Sequence, residues 1–202
     1  MVTAASSSSN HVAISGLQGV SYKHEALDKR DTPISLDLSA VSDSLIDLGH
    51  CVSTVKSVQL RNVTHSIVVL PRVEGSVMVH DLASSILVVA LCHQFRMHTS
   101  NQVVVELATK RGSVVTIEAC RQVVFVQQGS GTIKVQDFDD LIHSEQLKHG
   151  ASPGGQAENK VNFNVVNTPG YSLAQRSKEL ATSGSSMQAS IAKLLEELEL
   201  AG

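Results

Sequence analysis

Between Val55 and Val126 the chain runs in short β-branched bursts, each a few residues long and separated from the next by Ser, Thr, Asn, Asp or His. The bursts recur. Under a shift of 19, Val58 meets Val77, Leu60 meets Val79, Val63 meets Leu82, and Ile67-Val68-Val69-Leu70 meets Ile86-Leu87-Val88-Val89. Two such shifts carry Val77 to Val115, Val79 to Ile117, Leu82 to Cys120, and Ile86-Leu87-Val88 to Val124-Phe125-Val126. The coil between them, around Arg96 to Val105, fits less well and marks a local irregularity. A unit of this length leaves no room for a helix and cannot bury its own apolar face. Stacked units can, because each inward Val or Ile then rests on its equivalent in the next coil. The spacing therefore predicts an all-β solenoid with coils of about 19 residues. A small antiparallel sandwich also yields short strands near this spacing, but agreement at both one and two periods favours the solenoid.

The ends of the chain differ from this middle. Residues 1–30 are Ser-rich, then mixed and charged, and read as a flexible arm. Residues 31–147 hold the repeat. Residues 148–186 open on Lys-His-Gly-Ala-Ser-Pro-Gly-Gly and read as a linker. In the last stretch, 187–200, Ile191, Leu194, Leu195 and Leu198 recur at helical spacing while Lys193, Glu196, Glu197 and Glu199 fall elsewhere. That is an amphipathic helix, whose stripe either packs on the domain or lies in a partner's groove.

Composition sharpens the picture. The chain has 27 Val in 202 residues but four Phe, two Tyr and no Trp, and its formal net charge is -3. A narrow stack of aliphatic rungs suits that bias. Few cations and few rings argue against nucleic acid, which needs Lys/Arg for phosphates and aromatics for bases. No apolar run reaches the roughly 18 residues that span a bilayer. The opening Met1-Val2-Thr3 lacks a secretory pattern, and Val2 stands where myristoylation requires glycine, so no membrane anchor is expected. Cys51, Cys92 and Cys120 are odd in number and far apart, which suits reduced, buried thiols in the cytoplasm. Without CxxC or HxxxH spacing, no metal site is expected.

The segment Gln94-Phe95-Arg96-Met97-His98 carries the candidate chemistry. As a strand it turns Phe95 and Met97 inward and projects Gln94, Arg96 and His98 together from the other face. Such a trio is either a solvated strand face or a site.

This segment matches the Q-x-R-x-H signature of the tubulin-binding cofactor C domain family, whose members include tubulin-folding cofactor C and an activator of Arf-like GTPases. Gly75-Ser76-Val77-Met78-Val79 resembles the family's G-S-V-x-I coil. Val115-Thr116-Ile117-Glu118-Ala119-Cys120 resembles its P-I-I-E-x-C, and Gln136-Asp137-Phe138-Asp139 its closing D-F element. The resemblance runs from about Gly16 to Leu141. It implies a right-handed parallel β-helix and GTPase activation in trans, with Arg96 as an arginine finger and Gln94 reaching the phosphates or the partner's switch region. GTP and Mg²⁺ would be bound by the partner, with no cofactor of the chain's own. The partner implied is β-tubulin, within the tubulin heterodimer and beside other folding cofactors. Alternatives are an Arf-like GTPase, or a non-catalytic cytoskeletal binding role.

Three further expectations concern support. Glu118 follows Arg96 by close to one coil, so stacking would set its carboxylate beside the guanidinium. His98 would hydrogen-bond near Arg96 or cap the strand. Asp137 and Phe138 would close the last coil, with Phe138 over its apolar end. The family's tubulin cofactor also carries a helical domain ahead of the β-helix, for which the arm read at 1–30 is too short.

Overall fold

The computed structural model describes residues 10–23, 32–51, 53–127, 133–140, 162–167 and 186–199, together with 172, 173, 175, 176 and 179. The elements are β1 (His11–Gln18), β2 (Ser21–Lys23), β3 (Ile34–Ser42), β4 (Leu45–Asp47), β5 (Val55–Thr64), β6 (Ile67–Cys92), β7 (Gln94–His98), β8 (Asn101–Thr109), β9 (Val115–Glu118), β10 (Arg121–Gln127), β11 (Val135–Asp137), β12 (Phe163–Asn167) and the helix α1 (Met187–Glu199). Every strand pairing is parallel, and the chain winds as a β-solenoid of about six turns. A front sheet runs β1-β3-β5-β6-β7-β9-β11, and a back sheet runs β2-β4-β6-β8-β10-β12. The long β6 rounds a corner and serves both.

Ladders fill the interior. Val58, Val77, Phe95 and Val115 lie in register on successive coils, as do Leu60, Val79, Met97 and Ile117, and all are buried. The irregularity lies in the step length. Ser57 pairs with Ser76, a step of 19; Ser76 pairs with Gln94, a step of 18; and Phe95 pairs with Val115, a step of 20. The short and long steps cancel over two coils, which is why the double shift of the sequence holds better than the single one. Aromatic rings do enter the core, as a chain of contacts that crosses from the front sheet to the back. Phe95 meets Phe125 edge-on at 6.3 Å between centroids, and Phe125 meets Phe163 at 6.4 Å, an arrangement ring quadrupoles favour.

The corner between front and back sheets is built from two columns of left-handed residues. Ala40, Asn62, Asp81, Thr99 and Ala119 form one, and Asp43, His65, Ser84, Gln102 and Gln122 the other, each with φ between 45° and 55°. Gly16 and Gly19 begin the two columns. Positive φ swings the backbone round the bend while its N–H still points at the next coil: Asp43 donates to the Thr64 carbonyl and His65 to that of Ala83. The polar punctuation of the sequence is this corner, where Asn and Asp tolerate the left-handed region. Just beyond it a buried serine column runs through the stack. Ser44 donates its N–H to Ser66 Oγ, and Ser66 to Ser85 Oγ, while each hydroxyl donates to a carbonyl two residues earlier. Gly75 meets a different demand, since a Cβ there would collide with the Lys56 carbonyl on the adjacent coil.

The back sheet is apolar on both sides. Val68, Leu70, Leu87, Val103 and Val105 point into the solenoid, while Ile67, Val69, Ile86, Val88, Val104 and Val124 form a second cluster with Ile191, Leu194 and Leu198 of α1. The helix packs on the domain. A strand covered on both faces reads as a continuous apolar run rather than an alternation, which accounts for Ile67-Val68-Val69-Leu70 and its repeats. Ser186 caps α1, its Oγ accepting the Ala189 N–H.

Three sequence readings are corrected. The supposed arm, 1–30, contains β1 and β2, which form a first coil on β3 and β4. Its steps to the next coils, His11 to Ser35 and Ser35 to Ser57, are longer than the repeat and so were not revealed by it. The supposed linker, 148–186, contains β12, whose Phe163 pairs with the distant Val123 and extends the back sheet. Its Gly/Pro-rich opening, 148–160, lies outside the described residues. Phe138 does not cover the apolar end. It stands 40% exposed on the front sheet's outer side, because Asp137 takes the inward position and accepts a hydrogen bond from Asn162 Nδ2 at 2.8 Å.

Candidate functional site

β7 alternates as its sequence requires. Phe95 and Met97 are buried and anchor the strand, while Gln94 and Arg96 are exposed and His98 is partly so. Hydrogen bonding to β6 on one side and β9 on the other fixes the backbone beneath them. Across the coils Gln94 lies opposite Ser76, Arg96 opposite Met78 and Thr116, and His98 opposite His80 and Glu118.

The register moves Glu118 away from its expected partner. The step from β7 to β9 sets Arg96 against Thr116, and Glu118 falls one outward row over, against His98. There its Oε2 lies 3.7 Å from His98 Nε2. Among the described residues no carboxylate lies within 4.0 Å of the Arg96 guanidinium. His98 is held from three sides. Its ring is 5.6 Å from that of His80, and Nδ1 is 3.3 Å from Thr99 Oγ1, whose own proton goes to Asp81 at 2.7 Å. With that proton committed, Nδ1 is the donor toward Thr99, and Nε2 is left facing Glu118.

The outcome is a shallow groove of about 320 Å³ on the front sheet, lined by Met78, His80, Arg96, His98, Glu118 and Phe138 among others. The sequence reading missed Met78, His80 and Phe138. The first two could have been found by setting Val77 and Val79 over Phe95 and Met97, a shift of 18. Among the described residues no three His, Cys, Asp or Glu side chains converge as metal ligands. What the groove offers is a planar guanidinium with five N–H donors, suited to holding two anionic oxygens at once, on a strand that does not need to reorganise.

Ladder-cored coils and an outward Gln-x-Arg-x-His strand define a parallel β-solenoid domain with a polar groove on its front sheet. The family described as tubulin binding cofactor C matches residues 34–148, more than half of the chain, and the chain belongs to that family. The match begins with β3 and ends past β11. No curated protein matches the chain. Among the described residues no helix is long and apolar enough to cross a membrane.

Proposed function

We propose that this protein activates GTP hydrolysis in trans, as a tubulin-folding cofactor C-like protein, with Arg96 as the arginine finger. The observation that carries the proposal is an exposed guanidinium with no carboxylate within 4.0 Å among the described residues, on a strand pinned by buried Phe95 and Met97. Charge develops on the equatorial oxygens of the transferring phosphoryl group, and a guanidinium held in place stabilises it without reorganisation. Such a finger contributes about 10³–10⁵ in rate. Gln94 stands on the same strand face and reaches the phosphates or the switch region. His98 and Glu118 hold the neighbouring row. GTP and Mg²⁺ come with the partner, β-tubulin in its heterodimer with other folding cofactors, and hydrolysis releases the native heterodimer. The protein works in the cytoplasm beside the cytoskeleton.

The test measures GTP hydrolysis by tubulin with its other cofactors, and by an Arf-like GTPase, each with wild-type protein, Arg96→Ala and Arg96→Lys. Stimulation of tubulin that both variants lose supports the reading. Stimulation confined to the Arf-like GTPase reassigns the partner. Equal rates with and without Arg96 in every pairing overturn the activity and leave a cytoskeletal binding module.

A further inference from the structure

The second corner of the coil, where the back sheet returns to the front, gathers basic side chains that are scattered in the sequence. Lys56, Arg72, His93, Lys110, Arg111 and Lys134 are all exposed there. The coil register brings them into a line. Val55 pairs with Val73 beside Lys56 and Arg72, the His93 N–H bonds to the Gly75 carbonyl, the Lys110 N–H to the Cys92 carbonyl, and the Val115 N–H to the Lys134 carbonyl. Among the described residues none of the six has a carboxylate within 4.0 Å, and Glu74 is the acidic side chain on their edge. The opposite corner is mixed, with Asp43, Asp81, Glu118 and Asp139 interspersed with Arg61, His65 and Arg121.

We infer that the cationic edge is a docking strip for an extended acidic peptide segment of a partner protein, lying along the solenoid axis. The geometry suits that occupant. Successive coils rise by about 4.8 Å, so the line from Lys56 to Lys134 covers about 19 Å, the length of some six extended residues at ~3.3 Å each. Single-file charges match one acidic strand, and positive potential speeds its encounter. Nucleic acid would also call for ring stacking. The exposed large apolar residues among those described are Val114, Phe138 and Val165, and Phe138 lies on the far side of the front sheet. The strip borders Gln94, so an acidic segment held there tethers its owner next to the front groove.

A fluorescein-labelled decaglutamate peptide, titrated with the full chain at low salt and read by anisotropy, tests the inference. Wild-type protein is expected to bind it, to release it as salt rises, and to ignore a decaglutamine peptide. Lys110→Glu/Arg111→Glu is expected to weaken binding tenfold or more, Lys134→Glu severalfold, and Arg121→Glu on the opposite corner less than twofold. Equal loss from both corners, no loss from either, or equal binding of decaglutamine overturns the strip. So does tighter binding of a single-stranded oligonucleotide or of phosphatidylserine vesicles than of the peptide. Arg96→Ala is expected to leave peptide binding unchanged, so the strip and the arginine finger stand or fall separately.

Discussion

Glu118 and His98 face one another across adjacent coils, with Oε2 3.7 Å from Nε2, and this pairing leaves Arg96 one row aside with its guanidinium turned to solvent. Both partners are largely exposed, 53% and 40%, so the pair is worth about 0–1 kcal/mol to the fold. Arg96 contributes still less, because an exposed side chain with no ion-pair partner among the described residues has little to lose. Arg96→Ala, Glu118→Gln and His98→Ala are each expected to move the unfolding free energy in urea by less than about 1 kcal/mol. A marked destabilisation by Arg96→Ala would give that side chain a structural role and remove the argument for a finger.

The serine column makes the opposite prediction. Ser66 is fully buried, and its hydroxyl both accepts the Ser44 N–H at 3.1 Å and donates to the Thr64 carbonyl at 2.7 Å. Ser66→Ala leaves a buried backbone donor without its acceptor, which costs about 1–3 kcal/mol. Ser57→Ala, which removes a half-buried hydroxyl contact with Ser35, is expected to cost under about 0.5 kcal/mol. Equilibrium denaturation of the two variants side by side distinguishes a structural column from decoration.

How far these features could be read in advance depended on whether they lay along the strand or across the coils. Alternation within Gln94-Phe95-Arg96-Met97-His98 correctly separated core from surface, since it needs only the strand's own period of two. Stacking needed the step length as well. The average period was legible because the short and long steps compensate, yet a small error in one step was enough to put Glu118 beside the wrong neighbour and to hide Met78 and His80. The first coil and β12 were missed because their steps are longer still, and nothing in a single burst of β-branched residues says which later burst it meets. Phe138 was misread for a related reason: an aromatic at the end of the repeat looks like a lid until the register assigns Asp137 the inward position.

Burial separates the three thiols. It pushes the Cys92 thiol up to about 12, and it also raises that of Cys120, against backbone hydrogen bonding at Ser100 and Glu118 that acts the other way. At pH 8 a rise from the ordinary value near 9 to about 12 lowers the Cys92 thiolate population about 10³-fold. Iodoacetamide is therefore expected to label half-buried Cys51 in the native protein and to reach Cys92 and Cys120 only in denaturant, as mass spectrometry would report. The same shift makes stability pH-dependent. The native state keeps the Cys92 proton where the unfolded chain loses it, so this contribution is complete below pH 9 and is lost between about 9 and 12. Rapid native labelling of Cys92 would contradict its burial.

The contact between α1 and the back sheet contains one chemical mismatch, at Ser190. The residue is 4% exposed, beside Ile191 on the helix, and its hydroxyl is buried without a hydrogen-bond partner among the described residues. A hydroxyl taken from water without compensation costs about 1–3 kcal/mol by mutational measures. Ser is also a somewhat poorer helix former than Ala, by a few tenths of a kcal/mol. Ser190→Ala removes both penalties and leaves the Ser186 cap untouched, so it is expected to stabilise the protein by about 1 kcal/mol and to slow hydrogen exchange across α1. Leu194→Asp, one turn on and in the same apolar stripe, is expected to have the reverse effect, freeing the helix and exposing Val88, Val104 and Val124 to a hydrophobic dye. If Ser190→Ala loosened α1 instead, the hydroxyl would have to be making a bond that holds the helix on the sheet.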